Sequence, residues 1–200
     1  MTEKPILIVK LGSTFPQVIK DYGDFPDLIQ EQVKSCDVPV TIVDPVLGEP
    51  LPHPAEFAGI ILTGSHAMVT DHQPWSERTA KWLPLALNNR VPVLGVCYGH
   101  QLLAYAFGGN VGHNPRGSEI GTFEIRLKSA VAKDILFQQM PPTFRAHATH
   151  AQSVLKFPEN AVSLAASDRE PHQAFFLPPC AWGVQFHPEF NAGIVPYYTA

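Results

Sequence analysis

Short runs of Val, Ile and Leu recur through the first half of the chain, at Ile6–Val9, Val38–Val43, Gly59–Leu62 and Val91–Val96, nearly continuous in apolar residues rather than alternating. This pattern predicts strands buried on both faces, as in a parallel sheet covered by helices. Between the third and fourth runs, Trp75, Thr79, Trp82, Leu83 and Ala86 repeat at spacings of three and four. That spacing predicts an amphipathic helix over Trp75–Leu87, kinked or ended by Pro84. Asp27–Val33 is a second helical segment and Tyr98–Phe107 a third. Strand and helix therefore alternate, which implies parallel strands joined by helical crossovers.

After Gly108-Gly109 the pattern changes. Thr122–Leu127 and Phe144–His147 alternate, and Ala161–Ala165 and Gln173–Leu177 are short strands before Trp182–Phe186. This half is expected to be antiparallel or mixed, at the sheet edge. The fold class is thus α/β, a doubly wound, mostly parallel, flavodoxin-like sheet flanked by helices, with an antiparallel C-terminal extension.

Composition narrows this little further. With 200 residues and 45% hydrophobic content, a single domain over 1–200 suffices. The net charge of -4 and the scattered Lys and Arg offer no basic field, so neither nucleic acid nor an anionic membrane is an expected partner. The charged tip Met1-Thr-Glu-Lys leads into an apolar run too short for a signal segment, and no stretch approaches membrane-spanning length. Three separated cysteines, Cys36, Cys97 and Cys180, form no C-x-x-C pair, which fits a reducing cytoplasm and gives no cofactor or metal signature. Cys36 and Cys180 read as ordinary small apolar residues, and His66, His72 and His113 as loop residues.

Cys97 is different. In Val91-Pro-Val-Leu-Gly-Val-Cys97-Tyr-Gly-His-Gln101, an apolar strand feeds a thiol with Gly95 and Gly99 two positions either side. A nucleophile displayed on a sharp strand-to-helix turn needs such small neighbours, and the following helix aims unpaired N–H groups at the sulfur, favouring the thiolate. A thiol nucleophile also wants a base and a group to orient that base. The segment Gly183-Val-Gln-Phe-His187-Pro188-Glu189 supplies both, two residues apart at an expected strand end, so that both side chains leave one face. By itself H-P-E is also a turn with Glu189 solvated and His187 packed. A metal reading would join His187 and Glu189 to His147 and His150, without any H-E-x-x-H or cysteine cluster behind it. For a developing oxyanion, Gly64 and Ser65, in a loop after a buried strand, and the backbone N–H of Tyr98 are the candidate donors.

These motifs resemble the class I, triad-type glutamine amidotransferases, whose hallmarks are a G-x-C-x-G-x-Q elbow and a terminal Q-F-H-P-E. The resemblance runs from about Ile60 to Phe190. It implies that Cys97 attacks the side-chain amide of glutamine to give a γ-glutamyl thioester and ammonia, with His187 carrying the proton and Glu189 orienting it. It implies further that Gln101 holds the substrate, that Gly64 and Tyr98 form the oxyanion hole, and that Thr149, His150, Ala151 and Gln152 contact the amino-acid end. Two positions depart from the family. Gln152 lacks a charge to grip an α-ammonium, and Gly64-Ser65 replaces the Gly-Gly pair of many synthase-linked members, as in stand-alone, GMP synthase-like proteins and γ-glutamyl peptidases. Since the chain ends a few residues past Glu189, ammonia is expected to pass to a separate synthase subunit, or hydrolysis of a γ-glutamyl compound is itself the purpose. A non-catalytic module is the third reading. An α/β-hydrolase is disfavoured, because there the acid precedes the histidine.

Overall fold

The computed structural model describes residues 4–199; the charged tip at 1–3 lies outside the described residues. In chain order the elements are β1 (Ile6–Val9), α1 (Pro16–Tyr22), α2 (Phe25–Val33), β2 (Val40–Val43), β3 (Gly59–Leu62), α3 (Pro74–Asn88), β4 (Val93–Val96) and α4 (Tyr98–Ala106). Then follow β5 (Asn110–His113), β6 (Glu119–Leu127), β7 (Thr143–His150), β8 (Gln152–Lys156), β9 (Val162–Ala166), β10 (Ala174–Leu177), β11 (Ala181–Val184) and α5 (Val195–Thr199).

A nine-stranded sheet runs in the order β2-β1-β3-β4-β11-β10-β9-β6-β7. Its first five members are parallel, in the 2-1-3-4-5 order of flavodoxin-like sheets with β11 in fifth place. The antiparallel part comprises β10, β9, β6 and β7. The last strand therefore returns to the parallel set beside β4 instead of extending the antiparallel edge, and it is this return that carries His187 toward Cys97. A separate two-stranded sheet, β5 with β8, was not expected from the sequence and places His113 on a strand.

β1 and β3 occupy the expected residues because Leu7, Ile8, Val9, Ile60 and Leu62 are all buried. β2 and β4 begin two residues later than the apolar runs. Pro39 and Pro92 lack an N–H for the ladder, although their carbonyls still accept from Ile6 and Ile60. α2 starts earlier than expected, at Phe25. Asp24 caps it, accepting from the N–H of Phe25 at 2.8 Å, while its own N–H donates to Asp27 at 2.8 Å. Pro84 does not end α3, which continues to Asn88. Leu83, Ala86 and Leu87 anchor that last turn in the core, which outweighs the lost hydrogen bond.

One apolar core packs α3 and α4 against β1, β3 and β4. A second lies under the antiparallel half around Ile125, Leu164, Val184 and Phe186. A third joins Val18, Phe25, Leu28, Phe190 and Ile194, which ties the N-terminal helices to the segment after Glu189. Cys36 is exposed rather than buried, correcting its reading as an apolar packing residue. Cys180 fits that reading better, with burial raising its thiol above the usual value. Among the described residues no helix is long and apolar enough to cross a membrane.

Candidate active site

The turn between β4 and α4 is built by close approach. A Cβ on Gly99 would stand 2.6 Å from Leu62 Cβ, and one on Gly95 would overlap the carbonyl of Gly99. With those side chains absent, helix, strand and β3 come close enough to force Cys97 into φ 51°, ψ −100°. A left-handed φ at a non-glycine residue costs on the order of 1–3 kcal/mol and persists only where the surroundings over-determine it. Here they do, because the Cys97 N–H donates to Val184 O at 2.8 Å and so ties the turn to β11. The Cys97 thiol lies 3.7 Å from Thr149 O, its hydrogen-bond acceptor.

β11 ends at Val184, short of the expected Phe186, so His187 and Glu189 belong to a tight turn and not to a continuing strand face. The register explains their position. Val184 pairs with Val96, which places Cys97 one residue and His187 three residues beyond a matched pair on neighbouring parallel strands. His187 N–H donates to His147 O at 2.8 Å, anchoring the turn to β7. Its Nδ1–H donates to Glu189 Oε1 at 2.7 Å, and both side chains are almost wholly buried, unlike the solvated glutamate of an ordinary H-P-E turn. The imidazole stacks on Phe190 with centroids 4.1 Å apart, and Phe25 lies parallel at 6.0 Å. Burial opposes a charge on this ring, yet the carboxylate of Glu189 and the sulfur of Cys97 outweigh it and push the His187 pKa up to about 10. Among the described residues its Nε2 has no hydrogen-bond partner.

A cavity of about 210 Å³ opens beside the thiol, and Ser65, Cys97, Tyr98, Gln101, Thr149, His150, Ala151 and Gln152 all line it. Gly64 stands behind it, where a Cβ would lie 3.1 Å from His187 Cε1. As first residue of α4, Tyr98 has an N–H that no helical carbonyl can satisfy. Its ring points away, hydrogen-bonding Ser76 at 2.7 Å with the phenol pushed up to about 12, burial being the largest cause. Ser65 braces its own loop by accepting from the N–H of Ala67 at 3.1 Å. Gln101 Nε2 donates to Gln152 O at 2.8 Å and to Gln185 Oε1 at 2.9 Å, which leaves its carbonyl oxygen for a ligand. Gln152 Nε2 donates to the Thr70 hydroxyl at 2.6 Å, while its buried Oε1 has no partner among the described residues. Both ring nitrogens of His150 are engaged, Nδ1 with Gln152 O and Nε2 with Glu119.

His66, Ala67, Met68, Ser118 and Ile120 complete the lining; none was expected in the site from the sequence, where His66 reads only as a loop residue. His66 follows Ser65 directly and packs against Phe15 at 4.5 Å, with its pKa lowered by partial burial and then by His187. Only its adjacency to Ser65 could have signalled this. His72 is exposed and pairs with Glu77 at 2.9 Å. His147 shares its Nδ1 with the Thr122 hydroxyl at 2.9 Å. Among the described residues no group of three or more His, Cys, Asp or Glu side chains could hold a metal ion.

Residues 18–194 match the family described as glutamine amidotransferase class-I. The GMP synthase (glutamine-hydrolyzing) of Aeropyrum pernix is 35% identical over 172 residues, 84% of this chain and 31% of that protein, so the chain spans about a third of its length. A GMP synthase (glutamine-hydrolyzing) subunit of Methanococcus vannielii is 32% identical over 176 residues, 87% of each chain. Among solved structures, a glutamine amidotransferase from Thermotoga maritima superposes with a TM-score of 0.81 at 22% identity, covering 96% of this chain and 79% of that one.

Proposed function

We propose that this chain, which belongs to the class I glutamine amidotransferase family, hydrolyses the side-chain amide of glutamine through Cys97, His187 and Glu189. The observation that carries the reading is the thiol on its strained turn, with a buried imidazole hydrogen-bonded to a buried carboxylate two positions further along beyond the neighbouring strand. His187 takes the thiol proton, and Cys97 Sγ attacks the amide carbon as the oxygen becomes negative against the N–H groups of Gly64 and Tyr98. The tetrahedral adduct expels ammonia, which leaves with the proton from His187, and a γ-glutamyl thioester remains. Water then attacks the thioester, His187 accepts its proton, and glutamate departs as the thiol is restored. Glu189 holds the ring's tautomer and stabilises the imidazolium. Gln101 Oε1 and the 149–152 segment receive the amino-acid end.

The ammonia passes to a separate synthase subunit. What supports this is the match across most of a protein that is itself named as one subunit of a GMP synthase. A second reading, hydrolysis of a γ-glutamyl amide or peptide bond by the same groups, is favoured by one observation: the cavity lining includes no acidic side chain to meet a free α-ammonium. Purified protein is expected to release ammonia from glutamine, and Cys97→Ala to abolish release. Faster turnover of γ-glutamyl peptides than of glutamine selects the second reading, and no turnover of either, with Cys97 inert to a glutamine-shaped electrophile, overturns both.

A further inference from the structure

We infer that Glu119 is a positioning residue for this site: a carboxylate outside the cavity lining that fixes His150 and, through it, the main-chain oxygen of Gln152 and the side chain of Gln101. The inference rests on the reading of the site given above. Glu119 opens β6 and His150 closes β7, and the two are register partners across the antiparallel pair. Their relative exposures are 1% and 7%. Glu119 Oε1 accepts from the Ser167 hydroxyl at 2.5 Å, and Oε2 accepts from Gln173 Nε2 at 2.6 Å while lying 3.1 Å from His150 Nε2. On the other side of the ring, His150 Nδ1 is 2.9 Å from Gln152 O, the oxygen that also receives Gln101 Nε2.

The donors and acceptors in this chain can be counted. A main-chain carbonyl only accepts, so His150 Nδ1 carries a proton. An ionised carboxylate also only accepts, and Glu119 already receives two other donors. For both contacts of the ring to be hydrogen bonds, Glu119 and His150 together must hold one proton more than a neutral imidazole facing a carboxylate. Without that proton, two lone pairs would face each other in a dry interior, a costly arrangement. The carboxylate therefore dictates the orientation of the ring, as an outer partner does for a metal-bound or catalytic histidine.

The consequence reaches the cavity through the backbone. Thr149 O accepts from the Cys97 thiol, Ala151 O accepts from the N–H of Asn114 at 3.0 Å, and Gln152 O accepts from His150 and Gln101. The segment facing the substrate is thus held at the carbonyls of Thr149, Ala151 and Gln152, and Gln101 is turned with its nitrogen inward. Stability alone is a poor account of the pair, because a buried ion pair gives little over a well-packed apolar one.

Glu119→Leu tests this, with Glu119→Gln as the conservative control. Leucine keeps most of the volume but offers no partner to His150, Ser167 or Gln173, so the ring loses the group that fixes it, whereas the carboxamide still accepts from Ser167 and can donate to His150 Nε2. Expected are unchanged alkylation of Cys97 by iodoacetamide in both folded variants, a fall in kcat/KM for glutamine of about tenfold or more in E119L, carried by KM, and recovery of most of that loss in E119Q. In a His150→Gln background Glu119→Leu should add nothing to the rise in KM. A wild-type KM in folded E119L, or an equal loss in both backgrounds, overturns the inference. Should E119L not fold, Glu119→Asp, whose carboxylate is one methylene short of the ring, carries the same comparison of KM and coupling. An inactive wild type brings down the functional reading instead, and nitrogen-15 spectra of the ring then decide whether Glu119 fixes His150, with ring shifts of His150 unchanged by the substitution overturning it.

Discussion

His187 Nδ1 donates to Glu189 Oε1 over 2.7 Å inside a turn that leaves only 1% and 2% of the two side chains exposed. Two effects compete at the ring: burial disfavours the imidazolium, and the charges of Glu189 and Cys97 favour it strongly enough to win. Replacing Glu189 by Gln keeps a hydrogen-bond acceptor but deletes a favourable charge and leaves the burial. The His187 pKa must then fall, so the protonated ring is lost at lower pH and the alkaline limb of the pH–rate profile moves down. The rate constant is expected to drop by about 10²–10⁴-fold, the usual worth of a positioned acid–base group. A profile measured from pH 6 to 10.5 checks both, and an unmoved alkaline limb would show that Glu189 does not govern the ring.

Gly64 faces the same ring from the loop after β3. A methyl group there would sit 3.1 Å from His187 Cε1 and 3.3 Å from Phe25 Cε1, with Phe190 stacked behind the imidazole. Since the ring is wedged among aromatic side chains, it can yield only by moving relative to Glu189. Gly64→Ala is therefore expected to cost about 1–3 kcal/mol in stability, as overpacking does, and to lower kcat at least tenfold. Thermal melts alongside initial rates would separate the two, and full activity in a destabilised variant would place the ring's tolerance higher than the packing implies.

What the sequence revealed and what it withheld divide along physical lines. The elbow at Cys97 and the H-P-E turn at His187 and Glu189 stand out in the sequence because each is a local pattern, and β1 and β3 because strands buried on both faces are continuous in apolar residues. β5 escaped because Asn-Val-Gly-His lacks any strand composition and is held by pairing with β8, some forty residues on. β6 was recognised only from Thr122, since Gly121 at φ 131° interrupts the alternation, and so Glu119 stayed outside the predicted strand. Its contact with His150, like that of Thr70 with Gln152, spans a separation that no local pattern encodes.

Gln152 makes the question of substrate charge testable. Its amide nitrogen is held by Thr70, whose hydroxyl could equally donate to a carboxylate, so Gln152→Glu should be accommodated without rearranging the wall. The substitution places a negative charge where the cavity lining has none. At about 4 Å and an effective dielectric near 20, a charge pair is worth up to about 4 kcal/mol before desolvation. The ratio of kcat/KM for glutamine over Nα-acetylglutamine should therefore rise about tenfold, equivalent to about 1.4 kcal/mol. An unchanged ratio would mean that the α-nitrogen is bound away from Gln152.

Pro84 sits one turn before the end of α3, yet the helix runs through it to Asn88. The proline has no N–H for the carbonyl of Ala80, and its ring crowds that carbonyl, an arrangement that costs about 3 kcal/mol in a helix interior. The turn survives because Leu83, Ala86 and Leu87 are buried at 0%, 0% and 5% exposure and hold it in the core. Pro84→Ala should restore the missing bond. Against that gain stands the extra freedom of the unfolded chain, about 0.4–1 kcal/mol. The difference predicts a net stabilisation of about 2–2.5 kcal/mol and a melting temperature higher by several degrees, with kcat within twofold of wild type because α3 meets Tyr98 through Trp75 and Ser76, at the other end of the helix from Pro84. Calorimetry of the two proteins decides it: a lower melting temperature in the variant would mean that the proline ring itself packs the helix end, and that shape rather than hydrogen bonding is what α3 selects at this position.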